Sequence, residues 1–148
     1  GVMQTKIEEP HMLAGPLGQV RVEFLSCGGV HTIALTDQGR MWSWGQNDTG
    51  QLGLGDTEIR CEPTAIISEI SSHRVILTAS STMHNAAVTD HNEVWTWGWG
   101  AFGQLAQRDL EDHLVPSRVH TFEKSAFSVS CGDMLTYALV HGESGRGE

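Results

Sequence analysis

Short alternating runs of apolar and polar residues dominate this chain. Val20, Val22 and Phe24 stand at alternate positions around Arg21 and Glu23, and His31 to Thr36 and Arg40 to Trp44 are β-prone runs of strand length. Asp37-Gln38-Gly39 separates the latter two, and Gly39 supplies the positive φ that closes a tight hairpin. Farther along, Asp90-His91-Asn92 takes the same place, with Asn as the residue that best replaces Gly at positive φ. No window of comparable length holds an amphipathic helical period, so the pattern predicts small antiparallel sheets and an all-β fold.

The pattern also repeats. The segment from Gly29 through His31 to Asp37 returns as Thr82 through His84 to Asp90, a shift of 53 positions, the spacing of His31 and His84. The same shift carries Trp42-Ser43-Trp44-Gly45 onto Trp95-Thr96-Trp97-Gly98, Gly50-Gln51-Leu52 onto Gly103-Gln104-Leu105, Asp56 onto Asp109 and Pro63 onto Pro116. A third copy opens with Ser130-Cys131-Gly132, matching Ser26-Cys27-Gly28, and breaks off after Leu139, while Glu8-Glu9-Pro10 loosely matches Cys61-Glu62-Pro63. The division predicted is the end of a preceding repeat over 1–19, full repeats over 20–72 and 73–125, the start of a third over 126–140, and a flexible tail over 141–148. We expect Gly28, His31, Trp42, Trp44, Gly45, Gly50, Gln51 and Leu52, with His84, Trp95, Trp97, Gly98, Gly103, Gln104 and Leu105, to be structural positions of the repeat. Chemistry that recurs from one unit to the next is normally architectural.

A sheet with two apolar faces needs a neighbour on each side, and repeats of this kind stack radially. The four indoles of Trp42, Trp44, Trp95 and Trp97 point to the same face of their strands, and we expect them to pack between blades. Ser26-Cys27-Gly28-Gly29-Val30-His31-Thr32-Ile33-Ala34-Leu35 followed by Trp42-Ser43-Trp44-Gly45-Gln46-Asn47-Asp48-Thr49-Gly50-Gln51-Leu52-Gly53-Leu54-Gly55 resembles a repeat of the regulator-of-chromosome-condensation family. The resemblance runs from about Val20 to Leu139 and implies a seven-bladed β-propeller of four-stranded blades. This chain holds two full repeats and partial repeats at both ends, a partial propeller. We read it as an excerpt of a longer protein, with self-association through open blade edges as the alternative.

The second repeat departs from the first after Trp97. Trp99 and Phe102 stand where the first repeat has Gln46 and Thr49, and these two aromatics in a loop are the candidate partner-binding residues, weighed against a role in covering a neighbouring loop. Ala106 and Arg108 replace Gly53 and Gly55, which predicts a different backbone path for that loop.

Composition narrows the function. The chain is 39% hydrophobic and 18% charged with a net charge of −9, a globular balance whose field repels phosphate backbones, so no direct nucleic-acid binding is expected. No apolar run is long enough for a membrane span, and an intracellular site, cytoplasmic or nuclear, is expected. Cys27, Cys61 and Cys131 are too dispersed for a disulfide framework or zinc knuckle, and Cys27 and Cys131, as repeat equivalents, are expected to be buried small hydrophobes. The eight histidines lack metal-ligand spacing, no nucleophile elbow or phosphate loop occurs, and His31 and His84 recur as a repeat feature. We therefore expect no catalytic residues, no metal and no cofactor. The expected function is a protein-interaction module of a larger regulatory protein. The resemblance implies an alternative, guanine-nucleotide exchange on a Ran-type small GTPase. A light-sensing branch of the family resembles Gly-Trp-Arg-His-Thr, where this chain reads Gly29-Val30-His31-Thr32 and Thr82-Met83-His84-Asn85.

Overall fold

The structure, a computed structural model, describes residues 12, 15–120 and 125–141. The expectations for a preceding repeat over most of 1–19 and for the tail after 141 lie outside the described residues. Strands β1 (Val22–Cys27), β2 (His31–Thr36), β3 (Met41–Gly45) and β4 (Arg60–Ala65) form one antiparallel meander. A second contains β5 (Val75–Ser80), β6 (His84–Thr89), β7 (Val94–Gly98) and β8 (His113–Arg118), and a hairpin of β9 (Ala126–Cys131) and β10 (Thr136–Val140) follows. Single turns of 3-10 helix occupy Pro16–Gln19 and Glu69–Ser72.

The hairpins close by the chemistry their residues offer. Gly39 takes φ +73° and Asn92 φ +62°. Their amides donate to Thr36 O and Thr89 O, each at 2.9 Å, in the same turn.

Strand alternation then decides the stacking. The first strands β1, β5 and β9 run beside one another, whereas β4 and β8 do not approach as closely, so the sheets fan out like propeller blades. Ile33, Leu35 and Met41 of the first sheet meet Ala87, Trp95 and Trp97 of the second, with Ile66 and Ile70 of the connecting segment closing the seam. The opposite face of the second sheet, Ala86, Val88 and Val94, packs on Ala126 and Val129 of the hairpin. Every residue of β6 and β7 is buried, as a sheet covered on both faces requires.

Three expectations need correction. Trp95 and Trp97 are fully buried at a seam, but Trp42 and Trp44 lie on the other face of the first sheet, only partly buried, and among the described residues no sheet stands against them. Cys27 is exposed, because it sits at the end of β1, which is the edge strand of its sheet; Cys131 is half-buried. The 106–108 loop does not take a new path. Ala106 (φ +54°) and Arg108 (φ +67°) adopt the same left-handed backbone as Gly53 (φ +70°) and Gly55 (φ +88°). The turn bonds match as well: Gly53 N–H donates to Gly50 O at 2.9 Å and Ala106 N–H to Gly103 O at 3.0 Å. The bonds hold the backbone although a Cβ in that region is disfavoured by about 1–2 kcal/mol.

Candidate interaction face

The turns before β2, β6 and β10 and the long β3–β4 and β7–β8 loops emerge at one end of the sheets. Backbone bonds knit them together: Gln46 N–H donates to Val30 O at 2.9 Å and Trp99 N–H to Met83 O at 3.0 Å. Beneath them runs a repeated polar ladder. Asn85, fully buried, receives His31 Nε2–H at 2.7 Å and donates its Nδ2–H to Gln51 O at 2.7 Å. Because the Asn85 amide donates to a carbonyl, its Oδ1 must accept, which fixes His31 as the Nε2–H tautomer. At the next seam Thr136 takes the role of Asn85, meeting His84 Nε2 at 3.0 Å and donating to Gln104 O at 2.9 Å. Each bridge joins the histidine of one sheet to the glutamine carbonyl of the same sheet through a side chain of the following one.

The other repeat positions serve the loops. Gln51 Oε1 accepts the Thr49 amide and Gln104 Oε1 the Phe102 amide, both at 2.9 Å. Ser43 and Thr96 donate their hydroxyls to Leu52 O and Leu105 O at 2.7 and 2.6 Å, anchoring the buried leucines. Gly45 and Gly98 end β3 and β7, and Gly50 and Gly103 turn the loops with φ +76° and +75°. Gly28 lies against the His31 ring, where a Cβ would come within 2.3 Å of Cε1.

Burial sets the electrostatics of the ladder. It pushes His84 down to about 4, with the neighbouring His31 imidazole adding to the effect, and it also lowers His31. Both rings are neutral near pH 7. Burial raises the Cys131 thiol to about 11. At the loop surface the Glu58 amide and then the Arg60 guanidinium, 2.6 Å away, hold Asp56 below the usual carboxylate range. The Glu111 amide, then His113, does the same for Asp109.

Trp99 and Phe102 meet edge to face at this end, their ring centroids 5.1 Å apart. Trp99 is half-buried and Phe102 is 62% exposed. The loops and turns of this end carry Asp48, Asp56, Glu58, Asp109, Glu111, Asp112 and Asp133 against Arg60 and Arg108, so the end is acidic. An apolar cleft of about 320 Å³ opens beside Phe102, between the second sheet and β10. Among the described residues no group of His, Cys, Asp and Glu is arranged to hold a metal. The interblade bridge was not visible in the sequence, although polar Thr32, Asn85 and Thr136, at one repeat position in otherwise apolar strands, were its available signal.

A fan of four-stranded antiparallel meanders with a recurring Trp-x-Trp strand defines a β-propeller repeat protein. The model of the regulator of chromosome condensation (RCC1) repeat matches residues 38–88 and 91–139, a second model of that repeat matches 22–51, and the chain belongs to this family. Each longer match begins in or just after the turn between the second and third strands of one sheet and ends in the second strand of the next, so one sequence repeat spans a seam. Among relatives, the chain is 40% identical over 123 residues to the ultraviolet-B receptor UVR8 of Arabidopsis thaliana, covering 82% of this chain and 28% of that protein. It is 33% identical over 126 residues to the protein RCC2 homolog of Danio rerio, covering 83% and 25%. Human WBSCR16 superimposes with a TM-score of 0.78 at 29% identity over 82% of this chain and 31% of that one. Prp20p of Saccharomyces cerevisiae gives 0.73 at 19% identity over 88% and 34%, a likeness of fold. The chain thus spans about a third or less of the length of these relatives.

Proposed function

We propose that this chain is a protein-interaction module, part of a propeller in a larger regulatory protein, and that its partner docks on the loop end around Trp99 and Phe102. The carrying observation is the edge-to-face pair, with Phe102 62% exposed at a loop tip braced from below by the Gln104 side chain. Rigid aromatic anchors contribute disproportionately to interfaces, and the acidic surround repels nucleic acid while favouring a partner with basic groups. The reading is one of binding, without covalent catalysis by this chain. HERC2 of Homo sapiens, named an E3 ubiquitin-protein ligase, matches over 2% of its length, so the ligase name belongs to a protein in which this region is a small part. An intracellular compartment, cytoplasmic or nuclear, fits this reading.

The test is quantitative affinity capture from cell extract with the chain and with its Trp99→Ala/Phe102→Ala variant. Proteins enriched by the chain should be depleted by the variant on the order of tenfold or more. Equal recovery by a folded variant would refute the assignment of the face.

Guanine-nucleotide exchange on a Ran-type GTPase is the second reading, supported by family membership; Prp20p is itself described with its binding to Gsp1p and histones. Accelerated release of labelled GDP from such a GTPase supports it, and an unchanged release rate removes it. Gly29 and Thr82, in the places the light-sensing pattern gives to Trp, speak against extending the receptor's ultraviolet response to this chain.

A further inference from the structure

The end of the molecule opposite Trp99 and Phe102 carries a set of charged groups that the repeat does not share. There the chain leaves β4 after Ala65 and enters β5 at Val75, and this connection closes the seam between the first two sheets, both of which are described. Ile66 and Ile70 are buried in the seam core, while Ser72, the last residue of the 3-10 turn, is exposed. The next residue, His73, is half-buried, with its ring centroid 5.4 Å from that of Trp95.

The connection is tied to both sheets. Arg40, between β2 and β3, donates Nη1–H to Ser71 O, the carbonyl of the peptide that leads into Ser72. Arg74 donates Nη2–H to Asp37 O at 2.6 Å in the same turn, and its stem covers Gly39, where a Cβ would come within 2.5 Å of Arg74 Cγ. On the second sheet, His73 Nε2 stands 3.3 Å from Glu93 Oε2, and Glu93 Oε1 meets Arg118 Nη2 at 3.0 Å. The first repeat has Val20 in the place of His73, and the second has Glu93 in the place of Arg40. Chemistry that recurs between repeats is architectural, and this set does not recur.

The bonds around Ser72 leave an imidazole nitrogen facing an oxygen. Ser72 Oγ–H donates to Glu69 O at 2.8 Å, and the same Oγ lies 3.1 Å from His73 Nδ1. A hydroxyl has one proton, so with that proton on Glu69 O the contact is a hydrogen bond only when Nδ1 also carries one. Across the ring, the buried Glu93 Oε2 makes no hydrogen bond. An imidazolium answers both sides, and an anion on Ser72 would favour it.

We propose that Ser72 is a phosphorylation site whose phosphate is received by His73 and Arg40, fastening the connection to both sheets of the seam. A protein kinase transfers the γ-phosphoryl group of a nucleoside triphosphate: the bond from Ser72 Oγ to phosphorus forms, the bond from phosphorus to the β,γ-bridging oxygen breaks, the nucleoside diphosphate leaves, and the hydroxyl proton passes to the kinase's base. A phosphate in this place gains charge-assisted hydrogen bonds to the imidazolium and the guanidinium that a hydroxyl cannot make. Ser71 is the neighbouring hydroxyl, but it is committed to the turn, donating to Ile66 O at 3.0 Å and accepting the Ser68 amide at 3.2 Å. Glu69 is the like charge on the same turn; it is exposed, so solvent and salt weaken its repulsion.

Two measurements test this. In the whole protein isolated from its own cells with phosphatases inhibited, peptide mass spectrometry should find phosphate on Ser72, and its absence from residues 66–74 would overturn the assignment. The intact chain with phosphoserine installed at position 72 should show an unfolding constant in urea about tenfold smaller than the unmodified chain. In His73→Gln and in Arg40→Gln chains the phosphate should change that constant by about twofold or less. Each variant is compared with and without phosphate, so its own folding cost cancels. A phosphate that acts equally in all three chains, or that loosens the parent, would overturn its reception by His73 and Arg40. Neither measurement involves capture of a partner through Trp99 and Phe102, so the two assignments fail separately.

Discussion

Replacing Asn85 with alanine removes the middle of an interblade bridge and leaves its two ends in place. Asn85 is fully buried and makes two bonds of 2.7 Å, one from His31 Nε2–H and one to Gln51 O. The Gln51 carbonyl keeps Trp97 Nε1–H at 3.1 Å as a second donor, so its loss is modest. The His31 ring fares worse: its Nδ1 already lacks a hydrogen-bond partner, and the substitution strands Nε2–H beside it in a buried site. An unsatisfied buried donor costs about 1–3 kcal/mol, and the lost bond to Gln51 with the small cavity adds roughly 1 kcal/mol. We expect Asn85→Ala to destabilise the chain by about 2–4 kcal/mol, read from urea denaturation at constant m-value. Asn85→Thr imports the group that Thr136 uses at the next seam, where one hydroxyl accepts from His84 and donates to Gln104 O, and should restore at least half of the loss. If alanine and threonine behave alike, or alanine costs less than about 0.5 kcal/mol, the bridge does not hold the blades together.

Acid should weaken the fold through the same ladder. His84 sits at about 4 in the folded chain against an ordinary 6.5, so between those values the unfolded chain takes up a proton that the folded chain refuses. Stability should be full above about pH 6.5 and fall towards pH 4 by about 3 kcal/mol through His84, with His31 adding in the same direction; a flat profile over that window would refute the burial argument. Trp97→Ala should cost about 3–5 kcal/mol and Trp42→Ala clearly less, since only the former is fully enclosed; equal losses in denaturation midpoint would contradict the seam assignment. Gly28→Ala places a Cβ within 2.3 Å of the His31 ring and 2.4 Å of Ser81 O, a backbone atom of the second sheet. It should cost about 1–3 kcal/mol, and a loss below the error of a calorimetric scan would mean the sheets are not so closely apposed.

The repeat made most of the fold legible. A spacing that carries Trp-x-Trp-Gly and Gly-Gln-Leu onto themselves identifies blades, and Asp-Gln-Gly with Asp-His-Asn identifies hairpins, because left-handed turns admit few residues. What stayed hidden depends on what lies across a seam. Trp42 and Trp95 are the same letter in the same register, yet one is fully buried and the other is not, because the second sheet has described neighbours on both faces and the first on one. The loop around Ala106 misled for the converse reason: glycine at Gly53 makes room for the Trp97 indole as well as for positive φ, and at Ala106 only the backbone demand remains against an open cleft. At the loop end, Trp99 and Phe102 stood out by departing from the repeat, but their mutual stacking follows from a loop path that letters alone do not trace.

The stacking of one blade on the next is most directly read from the Trp97 indole proton in a NOESY spectrum of the labelled chain. With Trp97 Nε1–H directed at Gln51 O and Gly53 packed against the ring, that proton should exchange slowly and show cross-peaks to Gly53, which belongs to the other sheet's loop. A rapidly exchanging indole with contacts confined to residues 75–118 would mean that the two sheets do not share a seam.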